Sequence, residues 1–289
     1  TGANRVEKNF LQAYLLAPDL SYAKGMLPMC YPSDHTDGVY IPNWAMWYIV
    51  ELKDFLDRTN DRDFVGQCKE KVYGIIRFLD RYLNEYGLLE NLESWIFVEW
   101  SKANELVHGL NFPSNMMYSL ALSCAARLYD DKKLLARADE MIHTIRKLSY
   151  NGEFFVDQAI RDDQNKLVPT NNTTETCQYY AFWTGVADKA HYPDLYKKLL
   201  VEFSNRDPQK VYPNVYPSNA FIGRLLRMDY FLREKEYETV LQEAKTYYLP
   251  MAERTGTLWE NLTTVASCNH GFSGYLAYLL VQAYSALHS

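Results

Sequence analysis

The sequence predicts an all-α protein built from consecutive helical hairpins. Apolar residues recur at helical spacing through most of the 289 residues, whereas the alternation typical of a half-buried strand is nearly absent. Short charged turns also alternate with long loops, and in a series of antiparallel helices every second connection emerges at the same end. Because the long loops differ in length and would share one rim, we expect a closed barrel of hairpins rather than an open solenoid.

Ten segments have a helical pattern. In the first segment Phe10 and Tyr14 fall on one face, and the second segment begins at Pro42, whose missing N–H costs nothing in a first turn. Two short pieces, residues 95–100 and 153–157, are expected to be extended. The helical segments are residues 4–16, 42–58, 62–83, 114–129, 132–148, 174–186, 194–203, 219–233, 237–251 and 271–288.

The connections between these helices are of two kinds. Four are short and charged, and they fall near residues 61, 131, 190 and 235. Five are long, and loops of more than about 12–15 residues inside a compact domain are usually functional. We therefore expect a single domain whose functional residues lie in the long loops. These loops span residues 17–41, 84–113, 149–173, 204–218 and 252–270.

The composition excludes several classes of protein. With 30 basic and 36 acidic side chains the net charge is −6, which argues against a nucleic-acid binder. No apolar run approaches the roughly 18 residues that a membrane span needs. The five cysteines have no CxxC spacing, and the six histidines form no HExxH pair, so neither a disulfide framework nor a metal site is indicated. No cofactor-binding motif is present either.

A carboxylate lies beside a tryptophan in two of the long loops, as Glu99-Trp100 and as Trp259-Glu260. One such pair is typical of a solvated acid next to a packing residue. Two carboxylates on the same rim are what hydrolysis of a glycosidic bond requires, and aromatic faces suit the apolar surface of a sugar. We therefore expect Glu260 and Glu99 to be catalytic and the tryptophans, together with Trp95, to contact substrate.

Four further residues are candidates for the same pocket. Glu175 and Gln178 lie at i and i+3 at the start of a predicted helix and share a face, although a first-turn Glu also suits the helix dipole. His270 immediately precedes the last predicted helix, where a bond to the backbone is an equally good interpretation. Tyr212 lies in the fourth long loop, next to a proline.

Seven short motifs follow one another along the chain. They are Ile41-Pro42-Asn43-Trp44, Trp95 to Trp100 (W-x-F-V-E-W), Asn115-Met116-Met117-Tyr118, Phe155-x-Asp157, Thr174 to Trp183 (T-E-T-C-Q-Y-Y-A-F-W), Thr257-Leu258-Trp259-Glu260 and Asn269-His270-Gly271. In this order and spacing they resemble the six-hairpin catalytic domain of bacterial α-L-rhamnosidases. The resemblance covers residues 5–286 and depends on the ordered set, since each motif alone is weak.

The resemblance implies an (α/α)6 barrel of twelve helices that hydrolyses terminal α-L-rhamnosides with inversion. By that analogy Glu260 matches the general base that activates water, and His270 matches a histidine near the sugar. Glu99-Trp100 matches an acidic residue followed by a pocket tryptophan, but this chain has Glu where Asp is common. The implied partner is a rhamnose-containing glycoside or oligosaccharide, and no cofactor is implied.

One part of the family's pattern is absent. The family's general acid belongs to an acidic, Arg-containing motif just upstream of the helix that matches residues 4–16, and this chain has no such motif. We therefore expect residues 1–289 to be the C-terminal portion of a larger glycosidase, truncated upstream of residue 1 and without rhamnosidase turnover alone. Asp34 and Asp37 are the substitute acids on the expected rim, but their sequence is typical of a solvated turn.

Two other functions remain open from the sequence. A barrel that binds carbohydrate without cleaving it would not need Glu260 as a base. A six-hairpin hydrolase for an anionic sugar would need cations in its loops, and the candidates for that role are Arg161, Lys166 and Arg206. Because the motif-bearing loops are acidic and aromatic instead, the α-L-rhamnosidase interpretation is favoured over both.

Overall fold

The computed structural model describes residues 4–17, 23–32, 38–203 and 211–289. The described residues are mainly helical, which confirms the predicted all-α class. They belong to two compact units, one made of residues 1–97 and 108–147 and the other of residues 98–107 and 148–289. Within the described ranges, no helix is both long enough and apolar enough to cross a membrane.

Some helices of the first unit begin where a side chain accepts a hydrogen bond from a free N–H group. Asp61 accepts a hydrogen bond from the Phe64 N–H, and Asn111 accepts one from the Ser114 N–H. Pro42 occupies the first turn of its helix. The elements that begin in this unit are α1 (Asn4–Leu16), α2 (Pro42–Thr59), α3 (Arg62–Gln67), α4 (Lys69–Leu79), a 3-10 turn (Asp80–Tyr82), β1 (Leu110–Asn111), α5 (Phe112–Tyr129) and α6 (Lys132–Ser149).

Hydrogen bonds and an ion pair between side chains join the helices of the first unit, in addition to the packing of apolar residues. In the pair α2 and α5, Asn43 Nδ2 donates to Ser114 Oγ over 2.9 Å, and both side chains are buried. Near the end of α4, Asp80 accepts a hydrogen bond of 2.6 Å from the Tyr118 hydroxyl and is also paired with Arg137 of α6. The end of α4 is thereby tied to α5 and α6.

In the second unit α7 packs against α9, while α12 packs against α9 and α10. Strands β4 and β5 pair in parallel, with Thr173 opposite Val215. The elements are a 3-10 turn (Lys102–Glu105), β2 (Gln158–Arg161), β3 (Leu167–Pro169), β4 (Thr173–Thr174), α7 (Glu175–Trp183), α8 (Pro193–Lys197), a π turn (Lys198–Glu202), β5 (Val215–Tyr216), α9 (Gly223–Arg233), α10 (Tyr237–Glu243), a second π turn (Ala244–Tyr248), α11 (Leu249–Thr255), a 3-10 turn (Gly271–Gly274) and α12 (Tyr275–Leu287).

Three of the predicted helices are interrupted. The segment 62–83 divides at Cys68 into α3 and α4. The segment 237–251 passes through a π turn before α11, because Pro250 has no N–H to donate to the preceding turn and its ring disfavours a regular helix there. The segment 194–203 also changes into a π turn after α8.

Three other expectations about local structure differ from what the structure shows. The segment 219–233 becomes helical only at Gly223, because residues 219–222 make loop contacts described below. Strands β2 and β3 form an antiparallel hairpin, with Ala159 opposite Pro169, where no sheet was expected. The pieces 95–100 and 153–157, which were expected to be extended, contain no assigned strand. Strands of three or four residues are too short to give a clear alternation.

Candidate active site

Asn219 joins three loop segments of the second unit. Its Nδ2 donates to the backbone oxygen of Trp100 over 2.6 Å, and its Oδ1 accepts a hydrogen bond of 2.8 Å from the backbone N–H of Leu262. Asn219 itself lies between β5 and α9, and it is buried. The segments that carry Trp100 and Glu260 are therefore both anchored to the start of α9.

Glu99, next to Trp100, is fully buried and acts as an acceptor inside the protein. One carboxylate oxygen accepts hydrogen bonds from the hydroxyls of Ser101, at 2.7 Å, and Thr176. The other accepts the backbone N–H of Gly223 over 2.5 Å. A Cβ atom at Gly223 would lie 2.5 Å from that same oxygen, so only glycine allows this approach. Burial raises the pKa of Glu99 to about 7, despite these donors.

A second buried carboxyl lies at the N-terminus of α7. Asp157 accepts hydrogen bonds of 2.7 Å from both the backbone N–H and the hydroxyl of Thr174, the residue that caps α7. Burial raises the pKa of Asp157 to about 7, and the nearby charge of Glu99 raises it further. The first turn of α7 is thus held by two carboxyl groups that burial favours in their neutral form.

Glu175 and Gln178 of α7 are also fully buried. Gln178 accepts the backbone N–H of Phe155 over 2.9 Å and donates to the backbone oxygen of the same residue over 2.8 Å. Glu175 accepts the backbone N–H of Ser218 over 2.6 Å. Both side chains, predicted as substrate contacts, are placed inside the protein and position loop backbone, so their assignment to substrate stays a prediction.

Four buried charges form a network between α7, α9 and α10. Arg224 approaches Glu175 at 3.3 Å and Glu243 at 3.4 Å, and Arg227 approaches Glu243 at 3.0 Å. Each of the four side chains is at most 2 % exposed. Because two cations face two carboxylates, the network is balanced, and through Glu175 it also holds the segment that leads to Asn219.

Glu260 lies in a loop whose two arms run antiparallel. Its backbone N–H donates to the oxygen of Ser267 over 2.9 Å, and the His270 N–H donates to the oxygen of Leu258 over 3.0 Å. The Glu260 carboxylate accepts the Ser267 N–H over 3.2 Å and is partly exposed. Trp259, by contrast, is buried at 5 % exposure. The loop therefore presents the carboxylate and buries the tryptophan beside it.

His270 is held by its neighbours at the start of the last 3-10 turn. Its Nδ1 accepts the backbone N–H of Phe272 over 3.3 Å, and its ring stands edge-on to Phe221 at 4.9 Å between centroids. Phe221 lies two residues before the start of α9 and also contacts Phe272. The neutral imidazole with Nδ1 as acceptor carries its proton on Nε2, which suits donation to a hydroxyl.

The remaining predicted aromatic residues lie in different places. Trp100 is 37 % exposed in the second unit, and Trp95 belongs to the first unit, where its ring lies 5.9 Å from that of Phe97. Tyr212 packs against Phe154 and donates its hydroxyl to Glu202 over 2.5 Å. Trp100 is thus the tryptophan that the structure leaves accessible next to the Asn219 anchor. Three further candidates from the sequence, Asp34, Asp37 and Arg206, lie outside the described residues.

Sequence reasoning missed the residues that hold the loops together. Asn219 has no distinguishing signal, since asparagine is common in loops. Arg224, Arg227 and Glu243 do have one: charged residues within otherwise apolar helical faces of consecutive helices indicate a buried ion pair. No cluster of three or more potential metal-ligating side chains occurs among the described residues.

The fold has known counterparts among solved structures. A GH78 family rhamnosidase of Bacillus sp. GL1 superimposes with a TM-score of 0.79 over 97 % of this chain, at 16 % sequence identity. The fold is that of GH78 family rhamnosidases. A rhamnosidase from Klebsiella oxytoca, solved with rhamnose bound, matches with a TM-score of 0.68 over 98 % of this chain, at 12 % identity. No protein-family model and no curated protein sequence matches the chain.

The chain is much shorter than the rhamnosidases that share its fold. It spans 30 % of the Bacillus protein and 55 % of the Klebsiella protein. Within this GH78-like fold the second unit places Trp100, Glu260 and His270 on segments that meet at, or pack near, the start of α9. The predicted roles of these residues are taken up below.

The raised pKa values of Glu99 and Asp157 predict a pH-dependent stability. In an unfolded chain both carboxyls ionise near pH 4, whereas their folded-state pKa values are about 7. The folded state therefore binds more protons than the unfolded state between those values. The contribution of the two carboxyls to the free energy of unfolding is complete below about pH 4 and is lost as pH rises through 7. As pH rises from about 4.5 to 8, the unfolding free energy of Asp157→Asn, measured in urea, is expected to increase relative to that of wild type by on the order of 3 kcal/mol.

The exposed residue Asp163 supplies the matched control. Asp163→Asn removes the same charge from the β2–β3 hairpin turn, and its stability relative to wild type is expected to stay constant over that pH range. A difference between Asp157→Asn and wild type that does not change with pH would contradict the assignment of a buried, neutral carboxyl at position 157.

Proposed function

We propose that the protein is a glycoside hydrolase that acts on terminal α-L-rhamnosides with inversion at the anomeric carbon. The fold match to GH78 rhamnosidases over nearly the whole chain is the observation that carries this proposal. The Trp259-Glu260 and Glu99-Trp100 pairs, which were singled out by their sequence alone, support it because Asn219 links their loops.

Glu260 is the proposed general base. It is the partly exposed member of the two predicted carboxylates, whereas Glu99 is fully buried and bonded on both oxygens. A carboxylate that accepts a proton from water must reach solvent, and the partial exposure of Glu260 supports this role. The attacking water would lie between Glu260 and the anomeric carbon. A carboxylic acid about 6.5–9.5 Å away would protonate the leaving oxygen.

Glu99 is proposed to position Trp100 rather than to touch the sugar. Its hydrogen bonds to Thr176 and Gly223 fix the segment 98–107 against α7 and α9. Trp100 follows it directly in the chain and is over a third exposed, so its ring can cover the apolar face of a sugar. His270 is proposed to donate from Nε2 to a sugar hydroxyl, because Nδ1 already accepts the Phe272 N–H.

An anionic sugar fits this unit less well. Arg224 and Arg227 each form ion pairs with buried carboxylates, and Arg161 donates to the backbone of Asn165 in the hairpin turn. Lys166 is exposed on the same hairpin. Since Arg224 and Arg227 are already paired with carboxylates, a neutral deoxy-sugar is the better substrate for the proposed site.

The stereochemistry of the first product tests the proposal. A form of the protein that supplies the general acid is incubated with an aryl α-L-rhamnoside, since residues 1–289 alone are expected to lack turnover, and proton NMR follows the anomeric signals before mutarotation. We expect β-L-rhamnose first, since water attacks opposite the leaving group. L-Rhamnose binding is measured in parallel by calorimetry, with D-glucose as the comparison sugar. The α-anomer as first product would contradict inversion, and absence of both rhamnose binding and hydrolysis would overturn the proposal. Rhamnose binding without any hydrolysis would favour a carbohydrate-binding barrel.

A further inference from the structure

A basic groove lies in the first unit, between α4 and the turn at residues 23–26. Its volume is about 520 Å³. Lys24 lines it from the turn, while Lys71, Arg77 and Arg81 line it from α4 and the 3-10 turn that follows. None of these residues belongs to the candidate site of the second unit. The groove therefore needs an explanation of its own.

Four cations surround the groove in a protein whose net charge is −6. Among the described residues Glu70 is the carboxylate that lines it, and it approaches Arg77 at 3.7 Å with 87 % of its side chain exposed. So exposed a pair contributes little. Arg77 and Arg81 are four residues apart, a spacing at which like charges repel each other. The positive charges of Lys24, Arg77 and Arg81 are thus compensated little by the one carboxylate among the described lining residues.

The floor of the groove is built from two glycines that contact each other. Gly25 has a φ of +95°, which favours glycine, and a Cβ on it would lie 2.7 Å from the backbone oxygen of Gly74 in α4. Side chains are therefore excluded where the turn crosses the helix. This close approach holds the turn that carries Lys24 beside α4, so that Lys24 lines the same groove as Arg77 and Arg81.

The side chain of Arg81 is ordered by contacts with Phe78. Its guanidinium lies 4.0 Å from the centroid of the Phe78 ring, and its Nε donates to the Phe78 backbone oxygen over 3.2 Å. An arginine has five N–H donors, of which this bond uses one. In the parts of the chain that the structure covers, the Nη groups of Arg81 have no acceptor. An ordered guanidinium with open donors suits a planar or tetrahedral oxyanion, because little side-chain entropy remains to be lost.

We propose that this groove binds a tetrahedral oxyanion, a phosphate or sulfate group, carried either free or as an ester on a sugar. Lys24 of the turn, together with Arg77 and Arg81 of α4 and the 3-10 turn after it, supplies positive charge, and a dianion relieves their mutual repulsion. The groove is larger than one such anion, which leaves room for an attached sugar. The proposal is independent of the hydrolase function, since it involves neither Glu260 nor its loop.

Calorimetric titration of the 289-residue chain tests the proposal, with inorganic phosphate and glucose 6-phosphate as probes at constant ionic strength. Both are expected to bind, and the double variant Arg77→Gln/Arg81→Gln is expected to bind at least about tenfold more weakly. The control Lys132→Gln/Lys133→Gln removes two exposed cations from α6 and is expected to bind as wild type does. Tighter binding of glucose 6-phosphate would identify an ester as the ligand, and tighter binding of inorganic phosphate a free anion.

Two further variants keep the test independent of folding. Lys24→Gln removes one exposed charge from the turn and is expected to weaken phosphate binding severalfold. Glu70→Gln removes the opposing carboxylate and is expected to strengthen it, an effect that unfolding cannot produce. The proposal is overturned if phosphate up to about 10 mM gives no heat beyond that of chloride. Equal binding by wild type and the arginine double variant, or binding of glucuronate as tight as that of glucose 6-phosphate, would overturn it as well.

Discussion

An Arg224→Met variant is expected to lose about 3–5 kcal/mol of unfolding free energy, because it leaves buried carboxylates without their partner. Arg224 lies between Glu175 and Glu243 at 3.3 and 3.4 Å, and after its removal Glu243 keeps its pair with Arg227 whereas Glu175 loses its ion pair. Urea unfolding followed by circular dichroism measures the loss. Since Glu175 also accepts the Ser218 N–H, binding of L-rhamnose is expected to weaken together with stability.

Lys245 supplies the matched control for this variant. It is an exposed cation in the π turn between α10 and α11, so Lys245→Met is expected to change the unfolding free energy by no more than about 0.5 kcal/mol. Arg224→Lys keeps the positive charge but loses the forked geometry of the guanidinium. Its loss of unfolding free energy is therefore expected to lie between those of Lys245→Met and Arg224→Met. A loss below about 1 kcal/mol for Arg224→Met would show that the four charges do not hold the second unit together.

In a form of the protein that supplies the general acid, a Glu260→Gln variant is expected to lower kcat for an aryl α-L-rhamnoside by about 10²–10⁴-fold, with little change in KM. Glutamine has nearly the same shape as glutamate and can still accept the Ser267 N–H, so the loop is expected to keep its form. It cannot take a proton from water, and the chemical step therefore loses its base. Steady-state kinetics on both proteins, with L-rhamnose affinity from calorimetry, separate this effect from lost binding.

Glu253 on α11 is the control for position 260. It is exposed, and Glu253→Gln removes the same charge from the same unit, so its kinetic constants are expected to equal those of wild type. The pH profile gives a second readout, because the limb that reports ionisation of the base should disappear in Glu260→Gln. Unchanged kcat in Glu260→Gln would exclude Glu260 as the general base, whereas hydrolysis would still support the glycosidase itself.

Helices were predictable because their signals are local and repeated. The periodicity that defines α2, α5 and α6 extends over five turns each, and Pro42 marks a start that the structure reproduces. The π turn before Pro250 and the division at Cys68 depend on how successive turns pack, which no local pattern records. The ring of six hairpins that the family resemblance implies stays a prediction.

The candidate site was predictable at the level of segments and less so at the level of side chains. The loops with Glu99-Trp100 and Trp259-Glu260 are indeed linked within the second unit, through Asn219. The sequence treated the two carboxylates as equivalent, because burial depends on residues far away in the chain such as Thr176 and Gly223. These partners lie 77 and 124 residues from Glu99 in the sequence, so the residues around Glu99 do not indicate them.

The anchor at Asn219 also bears on how such a protein could change its sugar preference. Both of its bonds reach backbone atoms, the oxygen of Trp100 and the N–H of Leu262, so neither depends on which side chain occupies those positions. Residues 100 and 262 can therefore be randomised while the loop scaffold keeps its shape, proline at 262 excepted. Position 219 itself offers no such freedom. Variant libraries for altered sugar specificity should accordingly vary positions 100 and 262 and keep Asn219.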